Sequence, residues 1–446
     1  MKIDTGFAGE VVSKAIQKGA DLAEVFVRAS RNLSLEIKDQ AVDSLESSLS
    51  FGYSLRIIRD GRLGFSYSND RQEQDSVIGR ALESSRYPDR DVYLDLPGAG
   101  GSAEVEVFDP AIRDLGEDEA IRKITLLERS VYAEDARIKK VRKASGSFTV
   151  SETAIVNSRS VSAHYASTSC SAQVSAIAEE GGESQIGWDY RGSRFLRDIS
   201  VEDIGRKASR RALQLLGSGK IAGTRADVVL DNSVTVDFLG IFAASLSSEA
   251  VQKGKSLLAG KLGRKVVSPK IKMTDSGLLP GKLGSSPVDA EGVPAREKVL
   301  IRGGVLEAYI YNTYTAKKAG TSSTGNAVRG GFASLPSVGV TNFFLEAASV
   351  ADKVSQNDIL KSVERGLYVV DAMGVHTANP VSGEFSIGVT GLWIEHGEVK
   401  YPVKEAVISG NILDFFSRIE AVGDDLAFYD NIGGPCLVIS GVDISG

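Results

Sequence analysis

Histidine and cysteine are scarce: His164, His376 and His396, with Cys170 and Cys436, are all that 446 residues contain. Two cysteines so far apart exclude a disulfide framework and point to a reducing compartment. No two histidines stand three or four residues apart, the spacing that sets two imidazoles on one helix face as a metal pair. Proline is sparse too (11 residues), and neither a low-complexity run nor a block of like charge is present, so no disordered tail is expected. No apolar run is long enough to span a bilayer. The opening MKIDTGFAGEVVSKAIQKGA carries Asp4 and Glu10 where a secretory leader needs an unbroken apolar core, so a cytoplasmic location with no membrane partner is expected. A net charge of −6 offers no general attraction to phosphate backbones, and no nucleic-acid partner is expected.

Glycine, by contrast, is abundant at 47 residues, which favours tight turns between many strands. Asp4 or Thr5 can cap a first helix whose apolar face is Phe7, Val11, Val12, Ala15 and Ile16, with Gly19 ending it. Five strand-like segments follow (LAEVFVRAS, NLSLEIKDQ, AVDSLESSLS, FGYSLRIIRDG, RLGFSYSND), with a turn at Asp60-Gly61, and a helix near Asp75 to Arg86 closes the set. After a connector from Pro88 to Pro110 the pattern restarts. Ile121, Ile124, Leu127 and Val131 face one helix, strands run through to AIAEE, and Ser200 caps a closing helix with Asp203 as its capping-box partner. Gly64-Phe65-x-Tyr67 matches Gly187-Trp188-x-Tyr190, and Ile78-Gly79-Arg80 matches Ile204-Gly205-Arg206, which suggests a degenerate repeat set against chance similarity of short strands. From Ala226 the texture becomes strand, long helix and hairpins, with turns at Gly303-Gly304 and His396-Gly397. The fold class expected is α+β: an N-terminal α/β region with an antiparallel sheet and flanking helices, then a β-rich C-terminal domain, divided at 1–110, 111–222 and 223–446.

Catalytic signatures are thin. No G-x-S-x-G elbow occurs, and no glycine run has phosphate-loop or dinucleotide spacing. Asp289 and Glu291 could do acid and base work, but their setting in PVDAEGVPA favours a turn or support role. His164 and His396 read as strand and turn residues, whereas His376 opens a polar loop, HTANPVSGEF, that can face a cleft or merely close a turn through Asn379 and Ser382.

The segments ADLAEVFV, IIRDGRLGFSYSND, VNSRSVSAHYAS, DAEGVPAREKVLIRGGVLEAYIYNTYTAKKAGTSSTGNAVRG, HTANPVSGEFSIGVTGLWIEHGEVKYPVKEAVISGNIL and GDDLAFYDNIGGP, in this order, resemble the TldD/PmbA family, and specifically its PmbA (TldE) branch. The resemblance implies a cytosolic heterodimeric zinc protease acting on unfolded peptides, with zinc in a TldD-like subunit and no cofactor in this one. The catalytic branch carries HExxxH on a helix that would run here from about Asp237 to Leu258, with Ser233 as a cap, and the matching turn, Leu239 to Ala244, is apolar or glycine. Cys436 matches the family's third zinc ligand and reads as a vestige or a buried apolar residue; zinc on Cys436 with Glu249 or Asp231 is the minor alternative. Thr324, Gly325, Asn326 and Arg329 match a family loop suited to an extended peptide, anchoring being the equal alternative; with His376, Asn379 and Ser382 they are the candidate chamber-facing residues. Catalytic residues in this chain are not expected. A homodimeric hydrolase around His376 and Cys436, or a protein-binding module such as a gyrase modulator, are the competing readings.

Overall fold

In a computed structural model describing residues 3–446, with the side chain of His376 outside the described part, the N-terminal half is built on one six-stranded antiparallel sheet. Helix α1 (Thr5–Gln17) starts at Asp4, whose carboxylate accepts from the Gly6 N–H, and buries Ala8, Val11, Val12 and Ala15. Three strands follow, not five: β1 (Leu22–Lys38), β2 (Ala41–Arg59) and β3 (Arg62–Ser68). The serine-rich stretches that look like breaks in sequence lie inside continuous strands. Pairing runs from Leu22↔Ile58 to Lys38↔Ala41 with one bulge between Glu36 and Ile37, reversing at Asp39-Gln40 with φ of 53° and 62°. Helix α2 (Gln74–Ser84) covers this end.

The second half repeats the layout. Short α3 (Pro110–Arg113) and α4 (Glu117–Tyr132) precede β4 (Ile138–Asn157), β5 (Ser162–Glu180) and β6 (Glu183–Ser193), and α5 (Val201–Leu213) closes it. Ser200 caps α5 by accepting from the Asp203 N–H. The halves join where β1 pairs with β4, giving the order β3-β2-β1-β4-β5-β6. All the long helices lie on one face, over two separate apolar cores. Gly64 and Gly187 have the same physical reason in each half. A Cβ at Gly64 would lie 2.1 Å from the Ala81 carbonyl of α2, and one at Gly187 2.2 Å from the Ala208 carbonyl of α5, so each edge strand meets its helix backbone to backbone.

The other face of the sheet carries no helix. Register sets Ser30, Asn32 and Ser34 of β1 beside Ser151, Thr149 and Ser147 of β4, and these beside Ser167, Ser169 and Ser171 of β5, a continuous hydroxyl-rich surface. At one end this face is closed by the C-terminal region.

That region begins with β7 (Thr224–Leu230), which pairs with Arg365–Met373 on one side and Leu437–Ser445 on the other. Together with Glu384–Glu395 and Glu398–Asn411 these strands close on themselves around the largest core of the molecule. A second six-stranded sheet is built around Ile271–Ser276, Glu297–Arg302 and Asn342–Ala347. Helix α6 (Asn232–Ser245) fills the space between, with Phe238 5.1 Å from Phe385 and 5.0 Å from Phe415, ring centre to ring centre.

Helix α6 starts earlier and ends sooner than its apolar pattern suggests. Its cap is Asp231, not Ser233, because the Asp231 carboxylate accepts from the Ser233 N–H while partners far away in sequence hold it in place. It stops at Ser245; Ser247 pairs with Ile310, and a separate short helix, Ser248–Gln252, replaces the expected continuation to Leu258.

Candidate functional site

Helix α6 is buried on most of its circumference, and only Asp237, Gly240 and Ala244 of its residues are exposed. Leu239 is 0% exposed, packed with Phe238 and Phe242 in the core. The turn Leu239–Ala244 therefore presents glycine, alanine and the flank of Ile241 to the open side, none with an atom that binds a metal. Cys436 is also 0% exposed; burial first, then Asp425 and Asp231, push its thiol well above the ordinary range, away from the thiolate a zinc ligand must be. The residues at this place do not fit zinc. Among the described residues no group of three or more His, Cys, Asp or Glu side chains is gathered to hold a metal ion.

Asp237 is the polar group α6 offers to the open side. Solvent reaches it, yet surrounding atoms strip its hydration and Asp371 repels its charge, pushing the carboxyl from 3.8 up to about 6. Asp371 in turn accepts from the Trp188 indole N–H at 3.0 Å, bringing β6, α6 and the C-terminal strands to one spot. A carboxyl raised on folding binds more protons in the native state than in the unfolded one between about pH 4 and pH 6. Native stability contributed by this group is thus highest below pH 4 and declines as pH rises to 6. Asp237→Asn is expected to flatten that part of the profile, read as the urea midpoint against pH; an unchanged slope would contradict the assignment.

The loop from Thr324 to Arg329 is spent on internal contacts. The Thr324 hydroxyl donates to Asn326 Oδ1, and Asn326 Nδ2 donates to Asp275 Oδ2 at 2.8 Å and to the Gly339 carbonyl at 3.0 Å. Lys298 Nζ donates to Asn326 Oδ1 and pairs with Asp275 at 2.9 Å. Gly325 is required: its φ is +72°, and a Cβ there would meet the Pro294 carbonyl at 2.8 Å. Arg329 is buried over the Phe26 ring and donates to Glu24 Oε1 at 2.6 Å and to the Ala290 and Ser334 carbonyls. Glu24 also pairs with Arg56 at 2.8 Å, and Arg56 with Glu291 at 2.9 Å, so two arginines and two glutamates make a neutral buried quartet between the sheet and the C-terminal region. Asp289 accepts the Glu291, Val293 and Ala327 N–H groups, while burial and Glu291 push its carboxyl up to about 7. Asp289 and Glu291 hold loops together.

His376 contributes its backbone to the turn Val375–Thr377, and its side chain lies outside the described residues. Asn379 Oδ1 accepts from the Val381 and Ser382 N–H groups, and Ser382 reaches Glu384, in an exposed loop. No hydrogen bond or ion pair among the described residues joins this loop to Thr324–Arg329.

Of the side chains that line a shared cavity, sequence reasoning singled out Asp289 and Arg329 and passed over the others. A cleft of about 400 Å³ opens between the helix-free sheet face and the C-terminal loops, lined by Arg28, Thr153, Tyr165, Arg194, Ser285 and Asp289 among others. Register places Arg28, Thr153 and Tyr165 side by side on β1, β4 and β5. The available signal was alternation: Phe26 and Arg28 share the face that Ser30 and Asn32 continue.

Three family models match in order: PmbA/TldA metallopeptidase domain 1 over residues 23–85, the central domain over 110–216, and the C-terminal domain over 223–446. A Metalloprotease PmbA homolog from Buchnera aphidicola is 28% identical, covering 95% of this chain and 93% of its own. A Metalloprotease TldD homolog from Haemophilus influenzae is 26% identical, covering 91% of this chain and 86% of its own. The crystal structure of a protein described as a modulator of a DNA gyrase, from Thermotoga maritima, superimposes with a TM-score of 0.91 at 27% identity over 99% of both chains.

Proposed function

The chain belongs to the PmbA/TldA metallopeptidase family, and from that premise we propose that it serves as the subunit without zinc in a two-subunit peptidase acting on unfolded peptides, completed by a TldD-like zinc subunit. The observation that carries this reading is the donor-free turn of α6, Leu239–Ala244, together with Cys436, whose thiol burial pushes well above its ordinary range. The relatives include homologues of both names, PmbA and TldD, which suits a partnership of related chains. A place for the second chain is available. β3 pairs with β2 only from Tyr53 onward, so among the described residues the outer edge of residues 41–52 has no partner strand, an edge of roughly 40 Å at about 3.3 Å per residue. Leu45 and Leu49 stand exposed on it, Leu49 at 74%. Such an edge can take another strand through main-chain hydrogen bonds.

In this reading the chain's own residues shape and line the chamber, and the helix-free sheet face with its serines and threonines receives the peptide backbone. The test is hydrolysis of an unstructured peptide by the purified chain, alone and after adding a TldD-like zinc subunit, with a chelator control and metal analysis of each chain. Turnover in the mixture alone, abolished by chelation, is expected. Turnover by this chain alone overturns the proposal.

A further inference from the structure

We propose that Arg28 and Arg194 form a carboxylate-binding subsite in the 400 Å³ cleft, taking the acidic group of an extended peptide. The inference deepens the peptide-chamber reading and rests on it.

Buried arginines elsewhere in the molecule are paired: Arg56 with Glu24 and Glu291, Arg211 with Asp231, Arg329 with Glu24. This is the usual condition for a guanidinium removed from water. Arg194 is enclosed and differs. Its Nη1 donates to the Thr168 carbonyl at 3.1 Å and its Nη2 to the Leu283 and Ser285 carbonyls, the latter at 3.0 Å, while its buried Nε has no partner among the described residues. No carboxylate among the described residues lies within ion-pair distance of it. Burial pushes its guanidinium down to about 10, and Arg28 pushes the same way. Arg28 is exposed on β1 and makes neither an ion pair nor a side-chain hydrogen bond among the described residues. Two cations thus line one cavity with no ion pair among the described residues, and an arriving carboxylate would supply one.

The acids that line the cleft are committed elsewhere. Asp289 takes three backbone N–H groups, and Asp430 accepts from the Tyr190 hydroxyl at 2.5 Å. Tyr165 and Thr153, flanking Arg28 across the sheet, add hydroxyls to the same wall. A peptide carboxylate can come from its C-terminus or from an Asp or Glu side chain, and the two sources are separable.

The experiment measures binding to the full chain of one unstructured peptide without acidic residues as the free acid, the same peptide as the C-terminal amide, and the amide carrying one internal glutamate. N-acetylalanine serves as a minimal carboxylate probe. Each is repeated with Arg28→Ala, which removes no ion pair or side-chain hydrogen bond among the described residues, and with Arg194→Lys. The free acid is expected to bind at least about tenfold more tightly than the amide if the terminus is the source, and the internal glutamate restores binding if the side chain is. In either case Arg28→Ala removes the advantage. Equal binding of all three peptides, or an advantage that survives Arg28→Ala, overturns the subsite. If no peptide binds but N-acetylalanine does so through Arg28, the subsite stands and the peptide-chamber reading falls; if neither binds, both fall.

Discussion

Arg56→Ala is expected to cost roughly 3–5 kcal/mol of stability, the range for removing one member of a buried, hydrogen-bonded ion pair. The arginine lies between Glu24 and Glu291, both with fully buried side chains, and burial's pull on its proton is overcome by the two glutamates, which hold it above its ordinary range. Removal leaves Glu291 with the Thr313 N–H as its remaining partner and Glu24 with Arg329. The double variant Arg56→Met with Glu291→Gln restores neutrality, keeps an acceptor for Thr313, and should recover most of the loss. Urea unfolding of the wild type, single and double variants decides the matter. A single variant as stable as the wild type, or a double variant no better than the single, would show that the quartet contributes little.

Asp231→Ala is expected to be as damaging for a different combination of reasons. One carboxylate caps α6 through the Ser233 N–H, receives the Tyr368 hydroxyl at 2.9 Å, and pairs with Arg211 of α5. Burial pushes this carboxyl up, but Arg211 and Lys207 outweigh it, and it ends below the ordinary carboxylate range. Losing the cap accounts for about 1 kcal/mol, and loss of the nearer carboxylate of Arg211, which keeps Asp189 at 3.8 Å, for about 3 kcal/mol more. Asp231→Asn keeps an acceptor for Ser233 and should separate the two contributions, leaving most of the charge effect. Because a lowered carboxyl stabilises above its unfolded pKa, the wild-type advantage over Asp231→Asn should shrink as pH falls through the acid range. Near-equal urea midpoints at neutral pH would refute the role.

Much of the fold was legible because it is written locally. The turns at Asp60-Gly61, Gly303-Gly304 and His396-Gly397 announce themselves by residue type, and each has the left-handed backbone those residues allow. The Ser200 cap and the Val11, Val12 and Ala15 stripe are equally local. What was illegible depends on partners distant in sequence. β1 and β2 seemed to break at Ser30 and Ser50 because serine resembles a turn residue, yet these two serines sit opposite one another and share a hydroxyl hydrogen bond. Asp231 could not be recognised as the cap without Tyr368, 137 residues away. Arg329 read as a peptide contact or an anchor until Glu24 was placed against it, and the open positions of Arg28 and Arg194 emerge only once every other buried arginine has found its carboxylate.

The buried quartet also sets a schedule. Glu24 and Arg329 are 305 residues apart, so at about 5–20 residues per second a ribosome exposes the glutamate roughly 15–60 s before its partner exists. During that interval Arg56 is the cation available to Glu24 within the quartet, and Glu291 joins only near its end. The first hairpin to be synthesised is therefore not finished until Arg329 has emerged, and the quartet closes only when the C-terminal region arrives.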